Sequence, residues 1–155
     1  IIPLSQLLGT TLELVVMVPA LLVVARLQGV GVTPKVVLAP VILASIVIFA
    51  AGVCVAASTV QVFVRDLQFV ATLLVQALFF ASPISYELDQ APDWMQSLQV
   101  INPISVNAEA FRDVILRGVW PNWGLMSIHL VLAVALLVGA VAHLRAVGHR
   151  IIDLA

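Results

Sequence analysis

The sequence predicts an all-α integral membrane protein with four transmembrane helices and short amphipathic helices in the loop before the last one. Three observations carry that expectation. Of 155 residues, 63% are hydrophobic and only 10% charged, whereas a soluble domain carries about 45–50% apolar and about 25% charged residues. Long stretches are almost free of charge. The scarce charge collects between those stretches, with five of eight acids (Glu87, Asp89, Asp93, Glu109, Asp113) in one forty-residue segment. Seven Lys/Arg against eight Asp/Glu leave a net charge of −1, so no basic surface exists for nucleic acid. A single cysteine, Cys54, cannot form an internal disulfide.

A spanning helix needs about 20 apolar residues to cross roughly 30 Å of hydrocarbon. Residues 7–27 qualify, with Glu13 as the lone charge before Arg26. Residues 36–60 contain no charge, and Pro40 falls in the first turn, where a missing N–H costs least. Residues 67–85 form the third expected span, beginning beside Asp66 and ending around Pro83. Residues 125–144 form the fourth, interrupted only by His129 and His143. Gly29, Gly31 and Pro34 mark the first turn, and the Arg65–Asp66 pair marks the second. Charge counting leaves the orientation open, since three Lys/Arg fall on one side and four on the other. The opening Ile1-Ile2-Pro3 has no basic n-region and no small-residue cleavage site. An internal start is therefore expected, making this an N-terminally truncated fragment.

Several residues invite a functional reading beside a structural one. Gly52 and Ala56 stand four apart in a run of small residues, which lets helix backbones approach within one bundle or between two subunits. Arg65 and Asp66 suit a helix C-terminus and N-terminus respectively, and Asp66 can cap the helix that follows. Glu13 is the intramembrane acid; it could line a pathway, pair with another helix, or reach water from about 9 Å depth.

Residues 86–124 are the most unusual region. Seven of the ten aromatics (Phe79, Phe80, Tyr86, Trp94, Phe111, Trp120, Trp123) lie in or just before it. They could form an interfacial belt or stacking platforms for sugar. Between Pro103 and Gly118, Val106, Ala110, Phe111, Val114 and Ile115 recur at helical spacing, with Glu109, Arg112, Asp113 and Arg117 opposite. Residues 93–100 make a shorter amphipathic piece around Trp94. Such helices lie in the interface or dip into the protein. No nucleotide, zinc-protease or serine-hydrolase motif occurs, so no catalytic, cofactor or metal residue is assigned and any ATP would be bound by another chain.

Val64-Arg65-Asp66-Leu67, then a helix ending Phe79-Phe80-Ala81-Ser82-Pro83-Ile84, resembles the membrane subunit of ABC-2 type exporters. So do Asn102-Pro103-Ile104, Glu109-Ala110-Phe111-Arg112 and the following Gly118, in the same order and spacing. The resemblance is to the branch that exports lipid-linked polysaccharide: O-antigen, teichoic acid and galactan. It implies the last four of six spans of a multi-pass protein of the prokaryotic inner membrane. It places Arg65, Asp66 and a short tail, 145–155, on the cytoplasmic side near an ABC ATP-binding subunit. Residues 86–124 would be external gate helices. Candidate pathway or gate residues are Phe79, Phe80, Pro83, Tyr86, Trp94, Asn102, Pro103, Glu109, Phe111 and Arg112. The implied partners are that ATPase, a second permease copy, membrane lipid and a lipid-linked glycan. Alternatives are a drug or small-lipid exporter and a non-transporting scaffold subunit.

Overall fold

The computed structural model describes residues 2–29, 31, 33–61, 64, 66–82 and 102–152, the side chains of 2–7 and 148–152 excepted. Five α-helices are present among them: α1 (Ile2–Leu27), α2 (Ala39–Gln61), α3 (Leu67–Ala81), α4 (Pro103–Arg112) and α5 (Trp123–Ile152). A 3₁₀ turn, Pro34–Leu38, leads into α2, and a five-residue π turn, Asp113–Arg117, continues α4. Among the described residues there is no strand.

Three of these helices are long and apolar enough to cross a membrane: Leu8–Leu27, Pro34–Gln61 and Trp123–Val147. The first matches the expected span 7–27 to within one residue, and the other two are longer than 36–60 and 125–144. Helix α5 continues to Ile152, so residues 145–152 of the expected tail are helical. Within the expected span 67–85 the structure describes helix over Leu67–Ala81. Helix α3 has 15 residues, or about 22 Å at helical rise, and stops at Ala81. Ser82 is extended (φ −92°, ψ 141°), because the ring of Pro83 excludes the helical region for the residue before it. Residues 83–85 lie outside the described residues.

Helix ends follow their local chemistry. Helix α1 closes with Gln28 N–H donating to the Val24 carbonyl and Gly29 N–H to that of Arg26, both at 3.1 Å. Gly29 itself is left-handed at φ 82°, the conformation a glycine adopts without strain. Pro34 occupies the first position of the 3₁₀ turn, where its fixed φ suits a helical start. At α5, Asn122 Oδ1 accepts from Leu125 N–H at 3.2 Å. Asp66 occupies the cap position of α3, yet its side chain makes no capping bond there. Asp66 is itself in the helical region (φ −80°, ψ −2°), whereas a capping carboxylate needs an extended residue to fold back on the first turn. The capping role expected of Asp66 is therefore not fulfilled.

Helix α2 is the hub, in contact with α1, α3, α4 and, most extensively, α5. Small residues allow this. A Cβ placed on Gly52 would lie 3.0 Å from the Leu137 backbone nitrogen and 3.1 Å from Leu136 Cγ, so α5 runs directly over that glycine. Val55, Thr59, Ser45, Ala133 and Ala140 are also buried. Thr59 and Ser58 hydroxyls both donate to the Val55 carbonyl at 2.9 Å. Back-bonding of this kind lets a small polar side chain enter an apolar contact with its donor satisfied.

The second cluster joins α4 to one end of the bundle. Val106, Ala110, Val114 and Ile115 pack with Ile42 of α2 and Met126 of α5, flanked by Leu22, Leu38, Ile46, Phe111 and Leu125. Beside it the first turn clasps the end of the π turn. Lys35 Nζ donates to the Gly118 carbonyl at 2.6 Å and lies 5.2 Å from the Trp120 ring centroid. Val119 N–H closes onto the Asp113 carbonyl at 2.9 Å. Gly118, at φ 63°, makes the reversal possible.

The outward faces are largely apolar. Phe69 (72% exposed), Val16, Leu12, Leu73, Phe80 and Val131 all point away from the chain, and patches of this extent mark a membrane or protein surface.

Two glycines on facing helices separate packing from propensity. Gly52→Ala forces a methyl against backbone, and overpacking costs about 1–3 kcal/mol, so thermal unfolding in detergent should begin at lower temperature. Gly139→Ala, with nothing within 4 Å of its added Cβ, should leave the transition within about 1 kcal/mol of wild type. Gly118→Ala should destabilise by at least about 1–2 kcal/mol from its left-handed backbone, since its methyl also meets Thr33 Cγ2 at 2.7 Å.

Candidate functional site

Of the residues expected to act, Phe79 and Phe80 lie at the end of α3, and Asn102, Pro103, Glu109, Phe111 and Arg112 lie at the start of α4 and along it. Asn102 is the hinge-pin of the α3–α4 junction. Its Oδ1 accepts from Ile104 N–H at 3.0 Å, capping α4, and its Nδ2 donates to Ser82 Oγ at 2.9 Å. Ser82 Oγ passes its own proton to the Leu78 carbonyl at 2.6 Å. Pro103 follows at the first helical position, where its lack of an N–H is harmless. One turn on, Asn107 Nδ2 donates to the Pro103 carbonyl at 2.7 Å. Ser82, Asn102 and Asn107 are all buried. Two residues twenty apart in sequence thus hold the ends of α3 and α4 together.

The solvent side of α4 is a closed set of charges. Glu109 accepts from Arg112 Nη1 at 2.5 Å and from Arg117 Nη1 at 3.0 Å, and Arg117 also donates to Asp113 at 3.0 Å. Two acids and two bases neutralise one another. The Arg117 guanidinium is held above its ordinary pKa by the hydrogen bond to Asp113, opposed by the cost of burial, with smaller upward contributions from the Glu109 and Asp113 charges. A raised pKa keeps the arginine charged at every pH below its ordinary value, so its half of the network persists through neutral and alkaline conditions.

The gate candidates therefore divide. Asn102 and Pro103 build the junction, Glu109 and Arg112 pair with each other, and Phe111 packs onto the core. Phe79 and Phe80 project from the last turn of α3, both exposed, edge to face at 5.8 Å between ring centroids. Pro83, Tyr86, Trp94 and Arg65 lie outside the described residues. Glu13 is exposed on α1. Gly52 faces α5 of the same chain, and Ala56 is half-buried one turn later.

Sequence reasoning missed three features. The Lys35 contact with Gly118 and Trp120 joins segments 83 residues apart, and nothing local signals it. Ser82 was read only as the residue before a proline. The third is a cleft of about 540 Å³ between α2 and α3, into which Gln61, Gln68, Thr72 and Gln76 open beside Ala57 and Ala71. The four-residue spacing of Gln68, Thr72 and Gln76 was visible and puts them on one helix face. Among the described residues, no group of three or more His, Cys, Asp or Glu comes together.

A family model described as ABC-2 type transporter matches residues 2–116. Two curated relatives, both named O-antigen export system permease protein RfbA and both from Klebsiella pneumoniae, are similar to the chain. One is 29% identical over 121 residues, covering 76% of this chain; the other is 28% identical over 122 residues, covering 77%. The alignments cover 46% of each relative, so the chain spans about half the length of the curated relatives it matches. No solved structure matches. The family match takes in both the long helices α1 and α2 and the α3–α4 junction with its paired charges, and on that ground the chain belongs to the ABC-2 type transporter family.

Proposed function

We propose that the chain is a membrane permease subunit of an ATP-driven exporter that moves lipid-linked polysaccharide across the inner membrane. The observation that carries this reading is the similarity to two O-antigen export permeases over about three quarters of the chain, together with a family match over residues 2–116. The sequence contains no phosphate-binding loop, and in this reading ATP is bound by a separate ATP-binding subunit.

In this reading α3 is a fourth span, completed by residues after Ser82, and α4 with its π turn caps the exterior end of the bundle as a gate helix. The clasp of Lys35 on Gly118 is consistent with that arrangement, because it requires the α1–α2 turn and the end of the π turn to share one side of the membrane. The α2–α3 turn, with Arg65 and Asp66, then faces the cytoplasm and the ATPase. Helix α3 buries no residue within the chain, which supports a second permease copy as its partner. The aromatic-rich segment favours sugar over a drug or small lipid, since sugars stack on ring faces whereas lipids need only apolar walls.

The test is depletion of the encoding gene in its own cells, with affinity capture of the tagged product. Lipid-linked glycan should accumulate on the cytoplasmic face, and an ABC ATPase should copurify. Normal surface glycan after depletion, or capture without an ATPase, overturns the reading. Replacing Phe79 and Phe80 together by Ala should lower export while membrane abundance stays unchanged, read from surface glycan per unit of protein.

A further inference from the structure

Helix α4 and its π turn form one unit whose two ends are held unequally. At the start, Asn102 caps α4 and donates to Ser82 Oγ, and both residues are buried. At the end, the polar tie is the Lys35 ammonium, 2.6 Å from the Gly118 carbonyl and 5.2 Å from the ring centroid of an exposed Trp120. Gly118 takes φ 63°, and residues 118–122 form no helix, so the π turn is not continuous with α5. The ion pairs of Glu109, Arg112, Asp113 and Arg117 run within the unit and travel with it.

Seating this unit carries a cost of its own. Two buried hydroxyl oxygens among the described residues find no hydrogen-bond partner, Thr33 Oγ1 and Ser105 Oγ, and burial without a partner is unfavourable. Both belong to the unit or to its clasp. Ser105 is in the first turn of α4 and 1% exposed. Thr33 lies against Gly118, its Cγ2 2.7 Å from the place a Cβ would take there. The apolar contacts of Val106, Ala110, Val114 and Ile115 do not lock the unit in a bilayer, because lipid tails solvate such side chains as well as another helix does. Lys35 itself stands in the 3₁₀ turn that leads into α2, so a shift of α2 is delivered to the clasp.

We propose that α4 and its π turn are a lid that pivots at the Asn102–Ser82 bond and is latched at its far end by Lys35 on Gly118. Release passes the ammonium from carbonyl and ring to water, uncovers the Thr33 hydroxyl and opens the buried face around Ser105. The proposal rests on the export function for what the opening serves, and it makes the α1–α2 turn the element that controls the lid.

Two measurements test it in native membranes, both in a Cys54→Ala background. Ser105→Cys places a thiol where the hydroxyl has no bond to lose, and its labelling by a membrane-impermeant reagent added on the Lys35 side reports opening. Lys35→Met, which removes the ammonium, should raise the labelling rate roughly tenfold or more, the factor that one hydrogen bond from a charged group is worth. Lys35→Arg, which keeps a donor and a cation beside Trp120, should stay close to wild type. An unchanged rate in Lys35→Met overturns the latch. So does an equal rise at Ala133→Cys, a buried position of α5, since that marks general loosening. The second measurement bolts the clasp. Thr33 Cβ lies 3.7 Å from an ideal Cβ on Gly118, inside the ~3.5–4.5 Å that a disulfide needs, and Thr33→Cys removes the crowding methyl. In Thr33→Cys/Gly118→Cys, oxidation should stop most export of surface glycan, and a reductant should restore it. Full export with the bridge formed, or no bridge under oxidant at normal abundance, overturns the latch and leaves the export function standing. Absence of glycan export in wild type removes the export function, and the labelling rates, which leave Gly118 untouched, still decide the latch.

Discussion

A chain that spans lipid gains nothing from burying one apolar helix against another, because lipid tails already solvate both. Association has to come from close backbone approach, and here it comes from α2 against α5. Gly52 removes the side chain at the point where the Leu137 backbone crosses. The neighbouring Ser58 and Thr59 hide their hydroxyls by bonding to the Val55 carbonyl. Everything else is hung from this pair: α1 lies on α2, and α4 sits across the end where Ile42 of α2 and Met126 of α5 meet. Loosening the Gly52 contact would thus move the seat of α4 as well as the helix pair.

Helix α4 follows the opposite economy. Its ten residues, about 15 Å long, are too few to span, so it needs water on one side and protein on the other. Its apolar side joins the end of the bundle, and its polar side carries two acids and two bases that cancel. Both of its ends are tied to other segments. The first is held to Ser82 by Asn102, and the last to the α1–α2 turn by Lys35 on Gly118. A helix anchored by single polar contacts at both ends is a body that can be displaced by breaking one of them. Hydrophobic contact alone would let it slide.

What could be read from the sequence was whatever has a period or a local marker. Charge-free stretches of spanning length revealed α1, α2 and α5, and Pro103 with the Val106–Ala110–Val114 spacing revealed α4 and its buried face. Helix lengths were less legible, because the apolar stretch at 67–85 says nothing about where Pro83 forces the chain out of helix. Asp66 looked like a cap by residue type and failed by backbone angle, which a sequence does not display. The gate candidates mixed residues of two kinds. Glu109 and Arg112 carry charge in an aromatic-rich segment and so resemble a site, yet the nearest unit charge for each is the other. Lys35 could not be placed from sequence at all, since its partner is a carbonyl oxygen 83 positions away.

Helix α3 differs from its neighbours in what its surface asks of its surroundings. With 15 residues and none buried within the chain, it has no structural duty comparable to that of α2 or α5. Its composition is nevertheless mixed. Leu73, Leu74, Phe69 and Phe80 are content in lipid or against another apolar helix, while Gln68, Thr72 and Gln76 require polar company. A helix selected only to fill a bilayer would carry Leu or Val at those three positions, where side-chain amides are costly without partners. The contrast between a tightly packed α2–α5 pair and an α3 with no buried residue therefore separates the helices that pack on one another from one whose polar and apolar side chains both stand exposed.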